Sequence, residues 1–258
     1  MRIDINADLG EGFGPYTIAD DAALMPLITS ANVACGYHAG DPVIMDRTVR
    51  LAKEHGVDIG AHVSYPDRMG FGRRVIPMDA NELEKHVLFQ LGALHAIARA
   101  AGHRITHLNP HGALGNQASA DAGIAETLVK ATYAFDPDIR FLVLPGSSLE
   151  RAASAAGMKC HRLFLADRAY TQDRQLAPRS LPGAVIKDRD LVVARLLRLL
   201  RDQTVETIDG QTINMDVQSI LVHSDTPGAV DLAREILRAL QARGTDIVSL
   251  SQLGDNCA

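Results

Sequence analysis

MRIDINADLGEGFGP, residues 1–15, decides how the rest of the chain is read. Arg2, Asp4, Asn6 and Asp8 alternate with Ile3, Ile5, Ala7 and Leu9, and side chains two apart on a strand share a face. An edge strand with one wet face would give the same alternation. It would not explain why Gly10, Gly12 and Gly14 crowd around Glu11 directly after Asp8. Glycines there let the backbone turn sharply and come close to another group. Two carboxylates in a glycine-rich turn off a strand end read as one wall of an active site.

Outward from that strand, strand and helix patterns alternate. Residues 19–28 read as a short helix with Asp20 and Asp21 in its first turn, interrupted by Pro26. SANVAC, residues 30–35, is a short buried strand, and Asp41-Pro42 opens a helix that stops at Gly56. DIGAHV, residues 58–63, is the next strand, followed by the polar loop 64–79. The longest helix starts at Asp79 or Asn81, carries Leu83, Val87, Leu91, Leu94, Ile97 and Ala98 on one face, and stops at Gly102. Further strands are expected at 105–109, 140–144, 161–165, 219–222 and 246–250, and further helices at 120–134, 149–156, 188–201 and 229–242. PHGALGN, residues 110–116, reads as a loop, and 205–215 as a hairpin turning at Asp209-Gly210.

Such alternation predicts an α/β protein with a parallel sheet and helical crossovers. Seven or eight βα units in ~250 residues fit a closed, TIM-like (β/α)7-8 barrel over 1–258 as one domain. A doubly wound open sheet is the runner-up. With 258 residues, 47% of them hydrophobic, the chain can bury a sizeable core. A net charge of -5 and a pI near 6.0 argue against a nucleic-acid binder. No apolar run approaches the ~20 residues that span a bilayer, and the chain opens on a strand pattern rather than a signal. The expectation is a soluble, cytoplasmic protein. Cys35, Cys160 and Cys257 are too few and too dispersed for a disulfide framework or a zinc knuckle.

In βα folds the ligand sits at the carboxyl ends of the strands. Those exits carry Asn6, Asp8 and Glu11; His38 and Asp41; His62; Asn109 and His111; Asp167 and Arg168; and His223 and Asp225. Four of the 10 histidines fall there. Asp and His together suit a divalent metal that activates water, with a remaining carboxylate as general base. The alternative is metal-free acid–base chemistry, with loop arginines Arg73, Arg74, Arg168 and Arg179 holding an anion. A lone histidine in such a place is more often structural than a ligand, and Arg74 and Arg179 are as often solvated loop residues. Asp41 and Asp225 also suit helix caps, and Cys35 suits packing better than nucleophilic attack. GEGFG does not match GxGxxG and no GxxxxGK[ST] occurs, so a nucleotide would rest on glycine-turn amides and arginines.

Taken in order, DINADLGEGFG, ANVACGYHAGDP, IGAHVSYPDRMGFGRR, PHGALGN, ADRAY and VHSD resemble the LamB/YcsF family, the A subunits of the bacterial ATP-dependent 5-oxoprolinase. The resemblance implies a distorted barrel of the glycoside hydrolase/deacetylase type. It implies opening of the 5-oxoproline lactam to L-glutamate with ATP hydrolysis, alongside two partner subunits. An unstrained lactam is a poor electrophile, and phosphorylation of its amide oxygen would create a leaving group. By that reading Asp8, Glu11, His38, His62, His111 and Asp167 are catalytic candidates. Asn6, Gly10, Gly12, Asp41, Arg73, Arg168 and His223 are candidates for substrate or phosphate binding. ATP is the implied cofactor, and a divalent metal would take Asp8, His38 and His62 as its ligand candidates, with Glu11 and His111 as further base or ligand candidates. The chain departs from the family pattern at Asn109, where the family has Lys, at Ala7 (Cys), at Ser224 (Gly) and at Arg174 (Gly). The Asn109 change removes a point charge suited to phosphate or carboxylate. A metal-dependent hydrolase or deacetylase of a small amide or carbohydrate, and a non-catalytic member of the complex, stand as alternatives.

Overall fold

The structure is a computed structural model and describes residues 1–254; Cys257 lies outside them. In chain order the first half comprises β1 (Arg2–Leu9), α1 (Asp21–Leu24), β2 (Ser30–Ala34), α2 (Pro42–His55), β3 (Asp58–His62), α3 (Ala80–Ala100), β4 (Ile105–Leu108) and α4 (Gly112–Ala120). Next come α5 (Ala122–Phe135), β5 (Arg140–Val143), α6 (Ser148–Ala155), β6 (Cys160–Leu165) and α7 (Arg189–Asp202). The last elements are β7 (Thr204–Glu206), β8 (Thr212–Asn214), β9 (Ser219–Val222), α8 (Ala229–Ala242) and β10 (Asp246–Ile247).

Strands β1 to β6 pair in sequence, all parallel, and β9 joins β6 to β1 and closes a seven-stranded barrel. Parallel neighbours need crossovers, and the helices supply them on the outside. The hairpin is formed by antiparallel β7 and β8. β10 pairs only with the start of β1, and a 3-10 turn at Leu250–Gln252 replaces the rest of the strand expected over 246–250.

β1 is not an edge. It lies between β2 and β9, and every residue from Ile3 to Leu9 is buried. Its polar alternation is real but points inward: Asp4, Asn6 and Asp8 hydrogen-bond with Ser30, Asn32 and Ser219 across the barrel interior. Ile3, Ile5, Ala7 and Leu9 take the other face and join the apolar core. The interior therefore has two halves, polar residues on β1 to β4 and leucines on the far side, where Leu142, Leu163, Leu165 and Leu221 are buried.

Local signals set the helix ends. Asp41 caps α2 by accepting from the amides of Val43 and Ile44, and Gly56 ends it in the left-handed region. Asp79 caps α3 through the Glu82 amide. The expected loop at 110–116 is instead the start of α4. Two glycines, an asparagine and a serine are poor helix formers, but Ala113, Leu114 and Ala118 are buried in the common core. Packing overrides propensity there.

Candidate active site at the carboxyl ends of the barrel strands

The strand ends surround a cavity of about 600 Å3. Asp8, Glu11, His62, His111, Arg73 and Asn109 line its polar side, and Leu142, Leu144, Leu163, Leu165 and Leu221 its apolar side. Arg168, Arg179, His223 and Asp225 complete the rim.

Glu11, His38, His62 and His111 bring one ligand atom each to within 4.8 Å of one another, and all four are buried. The rings are held from behind. His62 Nδ1 is 2.7 Å from the Asn109 carbonyl oxygen, and His111 Nε2 is 2.8 Å from that of Phe71. A carbonyl only accepts, so those two nitrogens carry the ring protons. When both rings are neutral, His62 Nε2 and His111 Nδ1 then turn lone pairs toward each other across 2.9 Å. Glu11 Oε1 sits 3.5 Å from His111 Nδ1, 3.9 Å from His62 Nε2 and 3.0 Å from His38 Nε2. Acceptors facing acceptors repel unless a cation lies among them. Imidazoles that donate their second nitrogen to backbone carbonyls are also what metal centres use to fix ring orientation.

Electrostatics point the same way. Burial first, and the Asp8 charge second, push the Glu11 carboxyl well above its usual range. Burial first, and the neighbouring imidazoles after it, hold His38 and His111 well below theirs. The group resists carrying net charge of its own, and its four ligand atoms lie close enough together that they could hold a metal ion. Of the ligand candidates Asp8, His38 and His62, the two histidines belong to it, joined by Glu11 and His111. Asp8 stands beside the group, its Oδ1 3.4 Å from His62 Nε2.

The loop 64–79 shapes this corner. Phe71 adopts φ 53°, a strained conformation for a bulky residue, and thereby turns its carbonyl to His111. Its ring packs edge-on against His38 and His111. Gly72, at φ 64°, passes so close that a Cβ would overlap Ser64 Oγ, His111 and the His38 Cβ. Asp67 anchors the loop by gripping the Arg74 guanidinium and the Gly70 amide, so Arg74 is a loop fastener rather than an anion anchor.

A hydrogen-bonded carboxylate–imidazole pair stands at the ends of β6 and β9. Asp167 Oδ1 is 2.7 Å from His223 Nδ1. Burial raises the Asp167 carboxyl, but the charge and hydrogen bond of His223 outweigh it and leave the group below its usual range. Burial lowers His223, and Asp167 outweighs that in turn and raises it. His223 Nε2 is left toward the cavity, 3.5 Å from Arg179 Nη2. Arg73 Nη2 reaches Asp225 Oδ2 at 2.5 Å, tying the loop after β3 to the loop after β9 across the rim.

Several expected residues lie elsewhere. The Gly10 amide donates to Asp21 and its position packs on Thr48. Gly12 packs against the Tyr16 carbonyl and Ile44, and the Gly14 amide donates to Asp41. The turn's Gly10 and Gly14 amides are thus committed to carboxylates rather than left free for a phosphate. Asp41 is a helix cap outside the cavity. Asn6 lies beneath it, bonded to Ser219 and Asn32. Arg168 lines the cavity but spends Nε and Nη2 on the carbonyls of Ala184 and Ala177; burial first, and Arg179 second, lower it to about 10. Cys35 is buried, bonds the Val33 carbonyl and has its thiol pushed up to about 12 by burial, which removes it as a nucleophile. Asn32 and Phe71 escape a reading of the sequence: a lone Asn inside a buried strand and a Phe in a loop carry no motif.

Comparison with known proteins covers nearly the whole chain. The model of the LamB/YcsF family matches residues 3–255. The chain is 54% identical over 253 residues to a 5-oxoprolinase A subunit (number 1) of Pseudomonas syringae pv. tomato, covering 98% of this chain and 99% of that one. It is 54% identical over 252 residues to a 5-oxoprolinase A subunit (number 2) of Ralstonia nicotianae, covering 98% and 97%. Among solved structures it resembles the lactam utilization protein of Thermus thermophilus, with a TM-score of 0.91, 39% identity and coverage of 97% and 100%. A peptidoglycan N-acetylglucosamine deacetylase, at a TM-score of 0.51 and 13% identity over 98% and 89%, shares the fold alone. With its motifs, its barrel and this full-length agreement, the chain belongs to the LamB/YcsF family.

Proposed function

We propose that this chain is the A subunit of an ATP-dependent 5-oxoprolinase and opens the 5-oxoproline lactam to L-glutamate together with two partner subunits. One observation carries the reading: a single cavity is faced by two separate proton-handling groups, the Glu11–His38–His62–His111 cluster beside Asp8 and the Asp167–His223 pair. The relatives named as 5-oxoprolinase A subunits support the choice of substrate.

Opening a lactam requires a held water, stabilisation of the carbonyl oxygen and a proton for the departing ring nitrogen. A divalent cation on Glu11, His38, His62 and His111 would supply Lewis-acid polarisation when bound. The remaining work falls to the chain. Asp8 Oδ1 is satisfied by the Asn32 amide, and its Oδ2, without a protein hydrogen bond among the described residues, is free to accept from a water. His223, kept basic by Asp167, holds a proton at Nε2 for the ring nitrogen as the C–N bond breaks. Arg73 and Arg179 stand at the rim where a substrate carboxylate would be gripped, and the leucines of β5, β6 and β9 receive the ring methylenes.

The Gly10 and Gly14 amides of the glycine-rich turn are taken by Asp21 and Asp41 and are not offered to a triphosphate. On this reading ATP hydrolysis belongs to the assembled complex.

The test is ATP-dependent glutamate release from 5-oxoproline by the reconstituted complex with and without this chain. Release that requires the chain supports the reading, and equal release without it overturns it. The buried Glu/His3 group favours one competing reading, a metal-dependent amide hydrolase acting alone. Metal-stimulated hydrolysis of small amides by the isolated chain, indifferent to ATP, would select it.

A further inference from the structure

We propose that Asn32, locked by His107 across Gly60, is the positioning residue that aims the Asp8 carboxylate into the cavity. This rests on the proposed role of Asp8. Asn32 sits one strand away on β2, in register with Asp8 on β1. Its Nδ2 is 2.9 Å from Asp8 Oδ1 and 2.7 Å from Asn6 Oδ1, so both of its N–H groups are used. Its Oδ1 is 3.0 Å from His107 Nε2.

The direction of each bond follows from what each group is able to donate. Asn32 Oδ1 only accepts, so His107 carries its proton on Nε2 and its Nδ1 accepts. The Thr106 hydroxyl, 2.9 Å from that Nδ1, is the donor, in preference to its longer 3.2 Å contact with the Ile59 carbonyl. His107 is fully buried among other basic groups and stays neutral, lowered to about 3 by burial first and His161 second. The chain runs one way: Thr106 to His107, His107 to Asn32, and Asn32 to both Asp8 and Asn6. Asn6 then donates to Ser219 over 2.7 Å, and Ser219 donates to Asp4. A flipped Asn32 amide would put its oxygen against two acceptors and its NH2 against the His107 donor.

The backbone is cut to fit this line. Gly60 on β3 is in register with His107 on β4, and a Cβ there would overlap the His107 Cδ2, Nε2 and Cγ atoms. Only glycine lets the ring lie across β3 and reach Asn32. A histidine, an asparagine and a bare glycine on three successive strands hold one oxygen of Asp8, leaving the other for chemistry.

Steady-state glutamate release by the reconstituted complex tests this, with assembly and melting temperature checked for every variant. Asn32→Ala should lower kcat by ~10- to 100-fold while KM changes less than about 3-fold. Asn32→Ser, whose hydroxyl is too short to reach Asp8, serves as the second variant should the alanine fail to fold. Asp8→Asn with Asn32→Ala should be no slower than Asp8→Asn alone, since the two act as a unit. His107→Leu should fall as Asn32→Ala does, and His107→Gln, which keeps an N–H for Asn32, should recover most of that loss. Undiminished kcat in folded Asn32→Ala or Asn32→Ser, or losses that multiply in the double variant, overturns the positioning role while Asp8 keeps its own. Undiminished kcat in Asp8→Asn overturns the assignment of Asp8 and this inference with it.

Discussion

Replacing Asp4 with Asn should stabilise the protein at neutral and alkaline pH, and the benefit should disappear in acid. Asp4 is fully buried at the inner end of the barrel, and burial raises its carboxyl from 3.8 to about 6 against the opposing hydrogen bonds of Ser219, Ser30 and Thr29. An acid whose folded value lies above its unfolded one binds its proton more tightly in the folded state. Stability therefore rises as pH falls through 6, and the gain is complete below 3.8. A gap of about two pH units at about 1.4 kcal/mol each amounts to about 3 kcal/mol, of which about 2 is gained between about pH 8 and about pH 4.5. Asp4→Asn imitates the neutral acid: Thr29 and Ser30 keep donating to its Oδ1, and Ser219, turning its proton away, accepts from its Nδ2. Urea unfolding followed by far-UV circular dichroism at a series of pH values gives the difference between parent and variant, in which all other titrations cancel. That difference should shrink by about 2 kcal/mol from about pH 8 to about pH 4.5. Parallel pH profiles, or a variant equally destabilised throughout, would refute the reasoning.

The remaining predictions concern the cavity. Asp167→Asn removes the charge that keeps His223 basic, so the alkaline limb of kcat/KM for the reconstituted complex should move to lower pH; a limb that stays in place excludes His223 as the acid. Arg73→Ala removes a rim guanidinium that is partly exposed and already shared with Asp225, and KM for 5-oxoproline should rise roughly 10-fold with kcat little changed. An unaltered KM would place the substrate carboxylate elsewhere. Gly72→Ala forces a Cβ onto Ser64, His38 and His111 at a left-handed φ; chemical denaturation should show a loss of about 2 kcal/mol or more, and a neutral result would mean the loop does not press on the cluster.

Much of this architecture is legible in the residues themselves. Strand and helix alternate because parallel strands need crossovers, and helix boundaries announce themselves through Asp41, Gly56 and Asp79. The polar stripe of β1 is also visible, but a period of two says only that two faces differ. It does not say that the polar one faces a barrel interior. The glycines after Asp8 are ambiguous for a related reason: a turn of that composition suits phosphate, and it equally suits the carboxylates of Asp21 and Asp41, which lie far enough along the chain to leave no local trace. His38, His62 and His111 stand at strand exits and converge as a closed barrel requires. Glu11 rather than Asp8 completes their group because the turn at Gly10 swings the chain back over the rim. Asn32 and His107 stay hidden because their meaning lies in cross-strand register, which one sequence does not encode. The helix Gly112–Ala120 is hidden because tertiary burial, not propensity, sustains it.

Glu11→Gln is the most direct trial of the whole account, because it keeps the side chain's shape while removing the carboxylate that touches all three histidines of the cluster. Assembled with its partner subunits, the variant should release glutamate at least ~100-fold more slowly than the parent and should retain less divalent metal after dialysis. Parent-like turnover with a normal melting curve would contradict the claim that this cavity opens the lactam.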